Sequence, residues 1–213
     1  MARARGVEAE VLPADLTIRK DVARVAKRLA DPTRPVDLLV NNAGLGIGRR
    51  FLRSDIEVQD ASLEVMVRAP MTLSHAAARA MVERGHGSIL NVSSIAALMT
   101  AGTYNAHKAW VESFTRGLAG ELEGTGVTAT ILRPGLVRTE FQERAGMDFS
   151  SLPGFVWLDP EPVVRAALRA TRRGKMVVTP SLRYRGVAGA ARILPRRALR
   201  GVSHSRRVRT RAE

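Results

Sequence analysis

Short apolar runs alternate with helix-forming stretches along most of this chain, and that alternation restricts the fold more than any other feature. Val36-Asp-Leu-Leu-Val40 is apolar on both faces, as a buried parallel strand should be. Ser88-Ile-Leu-Asn-Val92 and Val127-Thr-Ala-Thr-Ile-Leu132 read as two further strands, Val7 to Leu12 as an earlier one and Met176-Val-Val178 as a last one. Between them, Asp21 to Leu29 places Val22, Val25, Ala26 and Leu29 on one helical face. Roughly Gln59 to Arg84 reads as a long helix ended by Gly85-His86-Gly87. Another helix runs from about 103 to 122 and is stopped by Gly124. Asp159 and Pro160 mark the start of a helix that continues to about Arg173. Regular alternation of this kind predicts an α/β fold, an open, doubly wound, mostly parallel sheet.

Composition narrows the functional classes. With 213 residues the chain suits one domain with a real core, read here as 1–180, followed by a basic tail, 181–213. There is no cysteine, which excludes disulfides and thiolate metal sites. His75, His86, His107 and His204 lack metal-ligand spacing, so no metal site is expected. No apolar run approaches the roughly 20 residues of a membrane span, and no signal-peptide core follows Met1, so a cytoplasmic protein without a transmembrane segment is expected. Of the net charge of +14, +9 lies in residues 181–213, which hold ten Arg, no Lys and one Glu. Charge gathered in a tail does not predict specific nucleic-acid recognition. It is read as a loosely ordered basic end, with weak contact to an anionic membrane surface as the functional alternative.

Chemistry concentrates around Tyr104-Asn-Ala-His-Lys108. Residues four apart share a helical face, so Tyr104 and Lys108 can reach one ligand. A free phenol titrates near pKa ~10, and a neighbouring ammonium favours the phenolate and brings that value down. Ser94 follows the strand 88–92, at the end of the strands where open α/β sheets bind ligands, and can donate a hydrogen bond to a carbonyl oxygen. A serine, a tyrosine and a lysine so placed can move a proton to or from that oxygen.

These residues, together with Asp15-Leu-Thr17, Asn41-Asn-Ala-Gly44, Asn91-Val-Ser-Ser94 and Pro134-Gly-Leu-Val-Arg-Thr139, resemble the landmarks of the short-chain dehydrogenases/reductases, in family order from 15 to 139. The resemblance implies a Rossmann-like fold, NAD or NADP as cofactor, and a small-molecule carbonyl or alcohol as substrate. It also implies roles. Ser94 polarises the carbonyl, Tyr104 is general acid or base, and Lys108 binds the nicotinamide ribose and lowers the tyrosine pKa. Asp15 meets the adenine, and Asn41, Ala43 and Gly44 line the cofactor. Pro134 and Gly135 belong to the cofactor loop, in which Val137 and Thr139 hold the carboxamide. A homo-oligomer is compatible with the family pattern.

Two departures qualify the match. The family opens with a strand, a glycine-rich turn, a helix and a second strand that hold the pyrophosphate. This chain is read as N-terminally truncated, beginning after that unit, and its reading frame is expected to continue upstream of Met1. Without the unit, Val36–Val40 is expected to present an unpaired edge, and the chain to bind nucleotide and fold poorly. The family's long-helix asparagine, part of a proton relay, aligns with Met66, whose thioether cannot replace an amide.

Other features compete with these readings. Gly44-Leu-Gly46-Ile-Gly48 mimics a displaced dinucleotide fingerprint, but its spacing is wrong and Arg49-Arg50-Phe51 gives no clear helix start. No Gly-x-Ser-x-Gly elbow supports a hydrolase. Asp15 and Asn41 also make ordinary turn and cap residues. Phe141, Met147, Phe149, Phe155 and Trp157 lie in a loop-like stretch that the resemblance makes a substrate lid, which points to an apolar substrate. The leading expectation is NAD(P)(H)-dependent carbonyl–alcohol interconversion. The rivals are a catalytically silent relic acting in binding or assembly, and a basic protein that attaches to membrane or nucleic acid through its Arg-rich tail.

Overall fold

The structure is a computed structural model that describes residues 6, 8–47, 51–148, 152–193 and 209–210. Helix α1 (Arg19–Leu29) leads into strand β1 (Leu38–Asn41). Helix α2 (Ile56–Leu63) passes through a π turn at Glu64–Arg68 into α3 (Ala69–Arg84), followed by β2 (Gly87–Val92), α4 (Gly102–Glu121) and β3 (Val127–Leu132). Then come β4 (Leu136–Val137), α5 (Phe141–Arg144), β5 (Met147–Asp148), β6 (Trp157–Leu158), α6 (Pro160–Arg172), β7 (Val177–Val178), α7 (Leu182–Ile193) and β8 (Arg209–Thr210).

Strands β1, β2, β3 and β7 form one parallel sheet in that order. Two short pairs stand apart from it, β4 with β6 and β5 with β8. The sheet is covered on both faces because its side chains alternate. Leu39, Ile89 and Ala129 pack beneath α1 and α3, where Val22, Leu29, Leu73, Ala77 and Met81 meet them. Leu90, Leu132 and Val178 face the other way, onto Val163, Ala167 and Ala170 of α6. The stripe expected on α1 does the packing, with Val22 and Leu29 buried and Val25 and Ala26 partly so. Where both faces are covered, apolar runs outlast strict alternation, which explains Val127–Leu132.

The N-terminal reading needs correction. Val7 lies outside the described residues; Glu8 to Leu12 forms no strand and is exposed, Val11 to 81 %. A strand exists only through a neighbour's hydrogen bonds, and among the described residues β1 pairs with β2 alone. Nor is β1 buried on both faces: Leu39 is 9 % exposed but Val40 44 %. The long helix starts at Ile56 rather than Gln59 and contains the unforeseen π turn, closed by the Ala69 amide donating to the Glu64 carbonyl. The stretch expected as a loose tail begins with a full helix, α7. Residues 194–208 and 211–213 lie outside the described residues, as do Gly48, Arg49, Arg50 and Phe149.

Two glycines in the turn before β3 separate backbone conformation from space. Gly124 and Gly126 both have φ +79°, but an added Cβ at Gly124 meets open space, whereas one at Gly126 collides with the Gly85 carbonyl. Gly124→Ala is therefore expected to cost about 1 kcal/mol, the left-handed penalty alone, and Gly126→Ala at least about 3 kcal/mol. Urea unfolding of the two variants checks this, and equal costs would contradict it.

Candidate active site

The carboxyl ends of β2 and β3 and the first turns of α4 converge. Beyond the ladder, the Ser93 amide donates to the Leu132 carbonyl at 2.8 Å and the Ile95 amide to the Pro134 carbonyl at 2.9 Å, so the two exits run side by side. Ser94 turns the chain: its backbone is extended and its Oγ accepts the Ala96 amide at 3.1 Å, capping a 3-10 turn at Ile95–Leu98. The same hydroxyl is near enough to Tyr104 of α4 to favour its phenolate. Tyr104 and Lys108 lie on one face of α4, the ammonium 5.8 Å from the phenol ring centroid.

The electrostatics differ from expectation. Burial pushes the Tyr104 phenol above its ordinary range, only partly offset by the Ser94 hydroxyl. Lys108 does not bring it down. Its Nζ donates to the Val92 carbonyl at 2.8 Å, and burial lowers its own pKa to about 8. At neutral pH the site therefore holds a protonated phenol beside a lysine that is still mostly charged.

The remaining residues separate into groups. Asp15 lines a groove of roughly 690 Å³ with Pro13, Ala14, Asp21, Ala43 and Gly44. Its carboxylate accepts the Thr17 amide at 2.9 Å and the Thr17 hydroxyl at 2.7 Å, which holds its pKa below the usual value. Gly44 joins the groove to the triad: a Cβ there would lie 3.8 Å from Lys108 Nζ. Asn41 does not present its side chain to the groove. Its amide donates to Asn91 Oδ1 at 2.8 Å and Ser74 Oγ at 3.0 Å, and Asn91 in turn donates to Thr115 at 2.8 Å. Val137 lies in β4 beside β6. Thr139 accepts the Phe141 amide at 3.4 Å, at the start of α5.

Of the aromatic residues expected as a lid, Phe141 lies against this constellation. The Phe141 ring centroid lies 5.9 Å from that of Tyr104, and Ala145 packs so closely on Gly46 that no side chain could stand there. Phe155 instead is 66 % exposed, beneath the Arg183 guanidinium. His107 is buried against Ser62, its Nδ1 3.3 Å from the hydroxyl, and the same hydroxyl lies 3.5 Å from Met66 sulfur in the π turn. Among the described residues no cluster could hold a metal ion, and no helix is long and apolar enough to cross a membrane.

Sequence reasoning missed four residues. Tyr184 of α7 receives the Leu136 amide at 3.2 Å, donates to the Val156 carbonyl at 2.8 Å, and lays its ring flush on Gly135. It holds the Pro134–Gly135 loop from a segment read as tail, and the signal was its standing as the only aromatic there. Ser93, Glu112 and Arg133 form a buried polar cluster beneath the triad. Their signal was a carboxylate one turn past Lys108 and an arginine closing an apolar strand.

Known proteins with this arrangement are numerous. A short chain dehydrogenase family model matches residues 1–148. The short-chain reductase protein NovJ of Streptomyces niveus is 35 % identical over 156 residues, covering 70 % of this chain and 60 % of its own length. An oxidoreductase of Staphylococcus saprophyticus matches over 67 % of its length, so the chain spans about 60 to 67 % of these relatives. A short-chain dehydrogenase from Sphingobium yanoikuyae, solved in complex with NADPH, superposes with a TM-score of 0.79 at 32 % identity, over 90 % of this chain and 77 % of that one. A bulky-bulky ketone specific alcohol dehydrogenase from Comamonas testosteroni gives 0.73 at 30 % identity, over 88 % and 73 %. With the order of its motifs, its Rossmann-like sheet and a family model spanning more than half its length, this chain belongs to the short-chain dehydrogenase family.

Proposed function

We propose that the protein is an NAD(P)(H)-dependent oxidoreductase that interconverts a small, apolar ketone and its alcohol, with Tyr104 as general acid and base. The observation that carries the reading is the placing of Ser94 after β2, with Tyr104 and the buried Lys108 on one face of α4 and the ammonium 5.8 Å from the phenol ring centroid. The nicotinamide, when bound, supplies or accepts the hydride. Toward that group the residues fit at one end. Lys108 spends one of its three donors on Val92, which leaves two for ribose hydroxyls, and Gly44 leaves the approach clear. At the other end, Asp15 and Asp21 suit hydroxyl donors but repel a pyrophosphate, and no cation stands among the groove's described lining.

In the reducing direction, the Ser94 hydroxyl donates a hydrogen bond to the carbonyl oxygen and holds it near the phenol. Tyr104 is protonated at neutral pH, as any phenol is and the more so when buried, and it gives its proton to that oxygen as negative charge develops. The Ser94 hydroxyl, which favours the phenolate, stays beside the phenol as the proton leaves. Phe141 gives an apolar wall next to Tyr104, which favours a hydrocarbon substituent on the carbonyl carbon. The ketone specificity of the Comamonas relative and the NADPH complex of the Sphingobium relative support this substrate and cofactor class. The acidic groove favours a second reading, in which the chain binds without turning over.

NADPH and NADH fluorescence titrations, followed by reduction assays on aryl and alkyl ketones, decide between the two. Tyr104→Phe is expected to lower turnover by about 10²–10⁴-fold with nucleotide affinity unchanged. Full activity in that variant would remove Tyr104 from the mechanism, and absence of nucleotide binding would leave the second reading.

Lys108 also makes a prediction about stability. Its pKa is near 8 folded and near 10.5 unfolded, so between these values the unfolded chain binds more protons. Stability then rises with pH across that window, and the penalty for burying the charge is fully present below it. Urea midpoints at pH 7.5, 8.5 and 9.5 should climb more steeply in the parent than in Lys108→Met. Parallel slopes would mean that the lysine is not desolvated.

A further inference from the structure

We propose that Ser93, Glu112 and Arg133 form a buried positioning network that sets the spacing of the three segments carrying the site. Each member adjoins one of those segments: Ser93 precedes Ser94, Glu112 lies one turn beyond Lys108 on α4, and Arg133 precedes Pro134–Gly135. The inference rests on the oxidoreductase reading above and extends it to residues that touch neither substrate nor cofactor.

The geometry is that of a joint. Arg133 Nε donates to Glu112 Oε1 at 2.7 Å and its Nη2 to Oε2, a fork-to-fork pair joining the end of β3 to α4. The two side chains are 3 % and 9 % exposed. The Ser93 hydroxyl has one proton and two acceptors in reach, the Lys108 carbonyl at 3.0 Å and Glu112 Oε1 at 3.2 Å. The network therefore grips the active-site helix at the backbone of Lys108 itself. The Arg133 amide is separately fixed to the Val178 carbonyl at 2.8 Å, so the guanidinium projects from an anchored point.

Stability alone is a weak reason for such a pair. Removing two charges from water largely cancels their attraction, and well-packed apolar residues of similar size often hold a fold as well or better. What apolar residues cannot supply is direction. A planar guanidinium gripping both oxygens of one carboxylate fixes the rotation of α4 against β3, and with it the reach of Tyr104 toward Ser94.

The double variant Glu112→Leu/Arg133→Met separates the two roles. Its thermal midpoint is expected to equal or exceed the parent's. The chain has two tyrosines, Tyr104 and Tyr184, so tyrosinate absorbance against pH, compared with the same protein carrying Tyr104→Phe, reads Tyr104 alone. The groups facing that phenol are Ser94, Lys108 and the Phe141 ring. Loosening the joint changes both the distance of Ser94 from the phenol and its burial, so the Tyr104 titration should shift away from the parent's and ketone reduction should fall about 10- to 100-fold in kcat, the scale of a misplacement of about 1 Å. Glu112→Gln, which keeps the packing and loses the charge, should show the same effects more weakly and carries the test if the double variant does not fold. A stable variant with parent-like titration overturns the proposal. If the parent reduces no ketone, the functional reading fails, and the Tyr104 titration still decides whether the network positions the phenol.

Discussion

In-register parallel pairing of β2 between β1 and β3 is the constraint on which the site depends. Asn41 faces Asn91 and Asn91 faces Ile131 across the sheet, so the three strands end at one level. Whatever leaves those ends, the Ala43–Gly44 loop, Ser93–Ser94 or Pro134–Gly135, is delivered to one place. Asn91 makes this pairing specific. It is fully enclosed, and an enclosed amide must find partners or cost free energy. It finds them on β1 and α4, through Asn41 and Thr115, so a slip in register would leave buried polar groups without partners.

Desolvation governs the chemistry of that edge. The same exclusion of water raises the phenol and lowers the ammonium, which brings two groups normally on the alkaline side into different relations with neutral pH. Their separation and the carbonyl partner of Lys108 explain why the ammonium does not dominate Tyr104. A pair four residues apart on a helix is close in sequence terms, yet each member answers first to its own surroundings.

Much of this was legible in the residues. Val127–Leu132 formed a strand over the whole predicted span, and the α1 stripe packed as its periodicity required. Motif order was legible because the residues leaving each strand are its immediate neighbours in the chain. The readings that failed depended on partners. Glu8–Leu12 has strand-like composition but joins no ladder among the described residues, and no helix covers Val40 on its face of the sheet as one covers Leu39. The hydrogen bond of the Asn41 amide to Asn91 was likewise hidden, because it depends on the strand pairing. The π turn leaves no compositional mark, and α7 hid behind its arginines. The Glu112–Arg133 pair joins residues 21 apart in sequence, a contact that only the fold reveals.

The contact of Ala145 with Gly46 has a kinetic consequence. Because α5 rests directly on the loop between β1 and α2, with Phe141 against Tyr104, a ligand seeking that space meets protein already there. A ligand that takes that space would have to displace the short helix, and an association rate that levels off as ligand concentration rises would report that step.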